Sequence, residues 1–350
     1  ILKEVFEDKR ASAAVRVSTV EVLTEVIAWC TDRTIPFVIR GGGTGNYGQC
    51  VPLLGGVVVD ITGMNRIVSI GNGEATVEAG VRIETLEKAA RLQGLEMRCK
   101  PSTWVKSTVA GFICGGSGGI GSVTYGGTGY GGMVKALKIL TIEPEPRLLT
   151  FSEGECLTAI NTFGTTGVVT ELTLRMAPMH RYDQFIVQHP DLLTLYRWSH
   201  QFANDASYHK RLVTLFEDII CDTFKPLQKH LLPGQHATFI LVDETQSERF
   251  REEAEAAGMA CSYHLPAVEP LKPPYLSDYT WNHTMLWGLK AHADWSYLQI
   301  DFGAAPEANL VAIKEAFPDE VFIHIEWALA TSKWNSGTDP VQPGGAPNIR

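Results

Sequence analysis

Several things this chain lacks narrow the reading before anything it contains does. No apolar run reaches the roughly 18 residues that a membrane-crossing helix needs, and no block of Lys and Arg appears anywhere in its 350 residues. With a formal net charge of −9 and no basic face, it is a poor partner for nucleic acid. Its seven cysteines (Cys30, Cys50, Cys99, Cys114, Cys156, Cys221 and Cys261) include no C-x-x-C pair. An odd, dispersed set excludes a disulfide frame and a local zinc site, and reads as reduced thiols in a cytoplasmic protein. The opening Ile1-Leu2-Lys3-Glu4 has neither an initiator Met nor the apolar core of a signal peptide, which leaves room for residues before it and for a leader already removed. Hydrophobic residues at 45% and charged residues at 20% suit a folded soluble protein, and the length suits two domains.

What is plentiful is glycine, 33 residues unevenly placed, with eleven between Gly111 and Gly132. Each costs about 0.5–1 kcal/mol of chain entropy relative to Ala, too much for a casual linker. Three stretches fit G-x-G-x-x-G, at Gly43/Gly45/Gly48, Gly116/Gly118/Gly121 and Gly127/Gly129/Gly132. A Rossmann site needs a helix opening straight from the loop. After Gly48 the chain runs Gln49-Cys50-Val51-Pro52, and after the later two it continues as loop and strand, so that site is rejected. No G-K-[ST] follows any of the loops, which removes a P-loop. The remaining use is a nest. Without Cβ atoms, successive main-chain N–H groups point into one concavity and can hold a diphosphate. Two such turns, near 41–48 and 108–122, can grip one extended dinucleotide from opposite sides; the alternative is that the glycines only make tight turns.

Around these loops the pattern is mixed. Ser18-Thr19-Val20-Glu21 has capping-box form with Ser18 as N-cap, and apolar residues at helical spacing carry a helix to about Thr31. Strands are expected at Ile35–Ile39 and Val57–Ile61, a hairpin about Gly71-Asn72-Gly73, and a helix from Ile83 to Gln93. Lys100–Gly132 reads as irregular, followed by strand Met133–Ile142, helix Glu153–Thr162 and strand Gly167–Met176. In the second half a helix at Asp191–Ala203 precedes strand His236–Asp243, helix Ser247–Ala257 and strand Met259–His264. A polar, aromatic insertion, Leu265–Trp295, separates these from strand Tyr297–Phe302, helix Pro306–Phe317 and strand Glu320–Ala330. Strand-helix-strand, twice, is the ferredoxin-like pattern. Thr331–Arg350 is rich in Gly and Pro and reads as irregular.

Four motifs in order make a resemblance specific. Arg40-Gly41-Gly42-Gly43-Thr44-Gly45-Asn46-Tyr47 follows a strand; then come Lys100-Pro101-Ser102, Ser107-Thr108-Val109-Ala110-Gly111-Phe112-Ile113 and Gly164-Thr165-Thr166-Gly167-Val168-Val169-Thr170-Glu171. Together they resemble the FAD-binding domain of the vanillyl-alcohol oxidase / p-cresol methylhydroxylase superfamily, nearest the branch of glycolate oxidase FAD subunits and D-2-hydroxyacid dehydrogenases. The resemblance covers about residues 15–178. It implies an α+β chain: a PCMH-type FAD-binding domain of two subdomains at 1–178, a ferredoxin-like substrate (cap) domain at 179–335, and an irregular tail at 336–350.

It also implies that Arg40 to Tyr47 (Arg40, Gly41, Gly42, Gly43, Thr44, Gly45, Asn46 and Tyr47) cradle the FAD pyrophosphate. Pro101, Ser102, Thr108, Val109, Gly111 and Phe112 would approach from the other side. Gly118, Gly119 and Ser122 would run along the cofactor, and Val168 and Val169 would reach its adenine end. Ala110 stands where the family usually has glycine. None of the ten His precedes His180, so the first loop cannot supply a covalent histidine link; non-covalent FAD is expected, with linkage to a C-terminal His left open.

The implied function is FAD-dependent oxidation of a small alcohol or hydroxyacid by hydride transfer to flavin N5, with a separate electron acceptor: a quinone, an electron-transfer protein or oxygen. The rivals are a flavin reductase fed by a nicotinamide and a non-catalytic electron-transfer subunit. Self-association into a homo-oligomer stays open. Such chemistry needs a side chain to take the hydroxyl proton. His283 and His292, in the insertion beside Tyr279, Trp281, Asn282, Trp287 and Lys290, are the first candidates; the competing reading is a surface loop with docked aromatics. His324 and Glu326, at i and i+2 on a strand and hence on one face, are the second; the competing reading is a solvated face. The branch's metal-binding His-x-x-His-Gly-Asp-Gly-Asn element is absent, as is a Leu-Asn-Pro-Gly element near the end. No metal is therefore expected, although His283, His292, His324 and Glu326 could in principle assemble a site from scattered positions.

Overall fold

The computed structural model describes residues 6–129, 132–267, 275–329 and 348–349. The chain divides into two compact units. The first holds residues up to 118 and 127–179; the second holds 119–126 and most of the chain from 180 onward.

The first unit contains two sheets. In one, β1 (Ala13–Arg16) and β2 (Phe37–Arg40) flank β3 (Val57–Asp60), all parallel. The link from β1 to β2 is helix α1 (Val20–Asp32), which buries Leu23, Ile27 and Cys30 at helical spacing. Its N-cap is Thr19 and not Ser18: the Thr19 hydroxyl accepts the Val22 N–H at 3.3 Å. The second sheet is antiparallel. The hairpin β4 (Ile67–Gly71) and β5 (Glu74–Glu78) turns at Asn72, which takes φ 52°. β5 pairs with β9 (Val168–Pro178), β9 with β7 (Val134–Leu140), and β7 with β8 (Leu148–Ser152). Helix α2 (Ile83–Arg91) lies before the short β6 (Leu95–Met97), which joins the end of β9.

Two local expectations fail here. Residues 153–158 form a 3-10 turn in place of a longer α-helix, with Glu153 at φ 49° and its carboxylate gripped by Arg175 at 2.6 and 2.7 Å. The glycine-rich segment is less irregular than its composition suggests, because Val109–Gly115 forms helix α3, capped by Thr108 and ended by Gly116 at φ 69°.

Under the Lys100-Pro101-Ser102 motif lies a buried ion pair. Glu87, fully buried on α2, accepts from Lys100 Nζ at 2.7 Å and from the Met97 N–H at 3.0 Å. The Lys100 ammonium also lies 4.6 Å from the centre of the Trp104 ring.

The second unit is ferredoxin-like, but only one of its two repeats, the one from His236 to Leu265, is among those the sequence suggests. The first is β10 (Tyr182–His189), α5 (Leu192–Asn204) and β11 (Lys210–Phe216). The second is β12 (His236–Asp243), α7 (Ser247–Ala256) and β13 (Ala260–Leu265). Between them lies a short helix, α6 (Asp218–Cys221); another, α4 (Ser122–Tyr125), comes from the glycine-rich segment. The strand order β13-β10-β12-β11 is antiparallel throughout. The later strands only extend its edge: β15 (His324–Glu326) pairs with β11, and β16 (Asn348–Ile349) bridges β15 and β14 (Ile300–Asp301). They are two or three residues long, far shorter than Tyr297–Phe302 and Glu320–Ala330.

β10 and β11 escape a sequence reading because polar residues interrupt their apolar pattern. Asp183, Gln184 and Gln188 are all buried. Their partners are His264 and the Ala267 N–H for Asp183, the Leu276 N–H for Gln184, and the Leu232 N–H for Gln188. Lys210 and Arg211, which would mark a surface turn, are buried as well.

The strands feed two cores by alternation. Phe185, Val187, Val213 and Leu215 pack with residues of α5 and α7. Ile186, Leu212, Phe216 and Phe239 pack on the other face with Leu276, Tyr279 and Trp281 of the insertion. The insertion contains α8 (Asn282–Ala291), and α9 (Pro306–Ala316) follows it. All seven cysteines are free thiols.

Replacing Glu87 by Ala is expected to destabilise the first unit by about 3 kcal/mol, because it leaves the Lys100 ammonium buried without its carboxylate. Urea unfolding followed through Trp104 fluorescence checks this; an unchanged midpoint would show the pair to be dispensable.

Candidate active site

The two glycine turns of the first unit meet. Gly41 lies against the Thr108 side chain and Gly42 against the Lys106 carbonyl, both so closely that an added Cβ would collide. Thr44 Oγ1 and Ser107 Oγ are 2.8 Å apart, and Ser107 Oγ is 2.7 Å from Thr103 Oγ1. Gly43 takes φ 65° with the Arg40 guanidinium folded over it, and Gly48 takes φ 78°. Hence the glycines at 41 and 42 serve the contact between turns, and the one at 43 serves the backbone turn.

The consequence is a row of main-chain donors. Among the described residues, the N–H groups from Gly41 to Asn46 donate to no carbonyl and no side chain. This stretch is half-buried or exposed, so the donors sit at an accessible surface. Unspent amides on a sharply turned, side-chain-poor segment suit a diphosphate. The start of α3 differs. The Val109 N–H goes to the Val81 carbonyl at 2.8 Å, the Ala110 N–H to the Ala79 carbonyl at 3.3 Å, and the Gly111 N–H to Thr108 Oγ1 at 3.2 Å. Its first amides are spent inside the protein, so the second turn contributes shape more than free donors.

The remaining predicted residues are distributed as follows. Ser102, Val109 and Phe112 are buried, as are Val168 and Val169 on β9, while Pro101 is half-buried and Tyr47 exposed. Gly118 is the last residue of the first unit before the chain passes into the second at Gly119. There the Gly119 N–H donates to the buried Ser122 Oγ at 2.7 Å.

In the second unit, the His324–Glu326 pair is not a solvated face. Glu326 is fully buried and accepts from Thr214 Oγ1 at 2.5 Å and from the Trp281 N–H at 2.5 Å, with His324 Nε2 at 2.9 Å. His324 stacks on Phe216 with ring centres 4.8 Å apart. The same group holds the start of α8, since Thr284 Oγ1 lies 3.4 Å from His324 Nε2 and Trp281 takes φ 53°, strained for a non-glycine residue. His283, half-buried at this end of α8, has its pKa pushed down, first by burial. His292, at the far end, is exposed and stacks on Trp295 at 4.3 Å. The insertion is therefore partly a docked aromatic loop, with His283 between the two residues, Trp281 and Thr284, that meet the buried group, and His292 at the other end of α8. Among the described residues no cluster of three or more His, Cys, Asp and Glu is placed to hold a metal ion.

Sequence reading missed a second polar group in this unit. His180 and His209 stack with ring centres 3.8 Å apart. His180 Nδ1 is 2.6 Å from Asp243 Oδ2, and Tyr182 Oη is 3.0 Å from His209 Nε2. No local motif announces it, because its members come from three different strand ends.

Comparison with known proteins fits the first unit. Residues 11–150 match the family model described as an FAD binding domain. A D-lactate dehydrogenase from Anaerostipes hadrus is 27% identical over 241 residues, 66% of this chain and 50% of that protein. The glycolate oxidase subunit GlcD of Bacillus subtilis is 31% identical over 165 residues, 45% of this chain and 35% of its own length. A D-2-hydroxyglutarate dehydrogenase from Xanthomonas citri pv. viticola is 30% identical over 167 residues, again 45% and 35%. The chain thus spans half or less of these relatives. Among solved structures, alkyldihydroxyacetonephosphate synthase superposes with a TM-score of 0.67 at 14% identity, over 89% of this chain and 67% of that one. At that identity the likeness is one of fold.

Two outcomes are expected. Gly42→Ala should weaken FAD binding at least about tenfold, roughly 1.4 kcal/mol, in a fluorescence titration of the flavin-stripped protein, since its methyl group forces the turns apart; unaltered affinity would detach this contact from the cofactor. Glu326→Ala should destabilise the second unit by about 2–3 kcal/mol, because buried Thr214 and Trp281 donors lose their acceptor; an unchanged urea midpoint would contradict the anchoring role.

Proposed function

We propose that this protein is an FAD-dependent oxidoreductase acting on a small 2-hydroxy acid or a related alcohol. The observation that carries the reading is the row of unspent amides from Gly41 to Asn46, formed where two turns far apart in sequence converge within an FAD binding domain. Relatives named as dehydrogenases or oxidases of lactate, glycolate and 2-hydroxyglutarate support the substrate class.

Arg40, Gly41, Gly42, Gly43, Thr44, Gly45, Asn46 and Tyr47 would hold the pyrophosphate. Pro101, Ser102, Thr108, Val109, Gly111 and Phe112 would shape the opposite wall, and Gly118, Gly119, Ser122, Val168 and Val169 would complete the cradle. FAD, when bound, supplies the acceptor for the substrate's hydride. It is held non-covalently, since the first glycine turn contains no His. The second unit must orient the hydroxyl group and take its proton. Two imidazoles compete for that task, His283 at the anchored start of α8 and His209 in the second polar group; His292, at the far end of α8, is a third candidate.

Reoxidation would use a quinone, an electron-transfer protein or oxygen. Among the described residues no helix is long and apolar enough to cross a membrane, and a cytoplasmic protein, with self-association left open, is the simplest setting.

The purified protein is expected to be yellow, and its flavin to bleach anaerobically with at least one of D-lactate, glycolate or D-2-hydroxyglutarate. A colourless preparation that takes up no added FAD would end the proposal. Bleaching by NADPH and by none of the acids would reverse the direction of the reaction.

A further inference from the structure

Paired His and Asp side chains are common in the second unit, so a pair by itself says little. His264 meets Asp183 at 2.6 Å, and His236 lies 3.5 Å from Asp218. The group at His180 and His209 differs in three ways. It has a phenol on the imidazole, a second imidazole stacked over it, and a main-chain tie to the glycine-rich segment.

The residues come from the start of β10, the start of β11 and the end of β12, which register alignment brings together: Tyr182 pairs with Asp243, and the Asp243 N–H donates to the His209 carbonyl at 2.9 Å. The His209 N–H in turn goes to Gln246 Oε1 at 2.7 Å, which fixes the backbone carrying the ring. His180, Tyr182 and His209 are all half-buried, so they are held firmly yet can be reached. The glycine-rich segment is attached to the same place. The Gly121 N–H donates to the Arg211 carbonyl at 2.7 Å, Thr124 Oγ1 to the Lys210 carbonyl at 2.5 Å, and the Tyr125 ring lies edge-on to His209 at 6.2 Å. Gly119 and Ser122 of this segment are among the residues proposed to run along the cofactor. The segment carrying Glu326 is tied there as well, through the Leu329 N–H to the Ser122 carbonyl at 2.8 Å, but the Glu326 carboxylate itself is engaged by Thr214, Trp281 and His324 from the sheet and the insertion.

We infer that Tyr182 and His209 form the proton-accepting pair of this enzyme, with Tyr182 touching the substrate hydroxyl and His209 receiving the proton behind it. The inference rests on the reading of the protein as an FAD-dependent hydroxyacid oxidoreductase. In the step, the substrate O–H bond breaks and its proton passes to Tyr182 Oη. Tyr182's own proton passes along the existing hydrogen bond to His209 Nε2. The C–H bond breaks with its electron pair, which leaves with the hydrogen as hydride to FAD, and the C=O bond forms.

His209 must start neutral, with its hydrogen on Nδ1, for Nε2 to accept. Its surroundings favour that. Burial, then the neighbouring His180, pushes its pKa down to about 4, and Arg211 and Lys210 add to the effect while Asp243 opposes it. Asp243 is also the nearby carboxylate that would steady the imidazolium once formed. His180, fixed on Asp243, acts through His209 as a positioning residue.

The test uses the FAD-loaded protein and two readouts. In 15N NMR, His209 is expected to be the neutral Nδ1–H form at pH 7 and to remain neutral below pH 5. Its titration should move to higher pH in His180→Ala, where a neighbouring cation is gone. In anaerobic stopped flow with D-lactate, glycolate and D-2-hydroxyglutarate, Tyr182→Phe and His209→Gln should each slow bleaching about 100-fold, with FAD content retained. A protonated or Nε2–H His209 at pH 7 overturns the inference, as does bleaching within threefold of the unsubstituted rate in both variants. Loss of bleaching in His283→Ala with both other variants unaffected does the same and moves the role to His283. If no hydroxyacid bleaches the unsubstituted protein, the substrate reading falls by itself, and the NMR result alone then decides whether the pair is a neutral acceptor.

Discussion

Close approach of two backbone turns is the constraint on which the first unit depends. Gly41 and Gly42 let the chain after β2 press on Thr108 and Lys106, and a side chain at either place would hold the turns apart. Once they touch, Thr44 and Ser107 join them through their hydroxyls, and the stretch from Gly41 to Asn46 is left with amides that no described group accepts. Contact and binding capacity have one origin: the missing Cβ atoms that permit the approach also leave the donors bare. The buried Glu87–Lys100 pair secures the neighbouring Pro101-Ser102 motif, which therefore stands on a paired charge.

The second unit solves a different problem. A four-stranded antiparallel sheet has two faces, and its two crossover helices pack with residues of only one of them. The insertion at 276–291 packs on the other and is held there by Glu326, whose carboxylate takes a hydroxyl from β11 and a main-chain amide from the insertion. A buried carboxylate is tolerable only with such partners. On this account Glu326 and His324 are first of all the fastening of the insertion, and His283 inherits its place from them.

Several errors in reading the chain share one cause. Buried polar residues disguised β10 and β11, because Asp183, Gln184 and Gln188 resemble loop residues until their partners at 264, 276 and 232 are seen. Lys210 and Arg211 resemble a surface turn, yet both are buried. With those strands hidden, the sequence pattern shows the repeat at 236–265 but places the other at 297–330, where the structure has it at 182–216. The short helix at Val109–Gly115 was likewise masked by glycines that cap and end it.

The sequence by itself determined the glycine turns, their order and the spacing of the helices, since these rest on local properties: missing side chains, caps and a periodicity of 3.6 residues. It also determined that His324 and Glu326 share a face, which strand alternation dictates. Only the tertiary structure decided that this face is buried, that Glu326 meets Thr214 across 112 residues, and that His180, Tyr182, His209 and Asp243 form one group. Those outcomes depend on which strands pair and in what register, and register is set by the summed packing of both sheet faces, a quantity that no short segment contains.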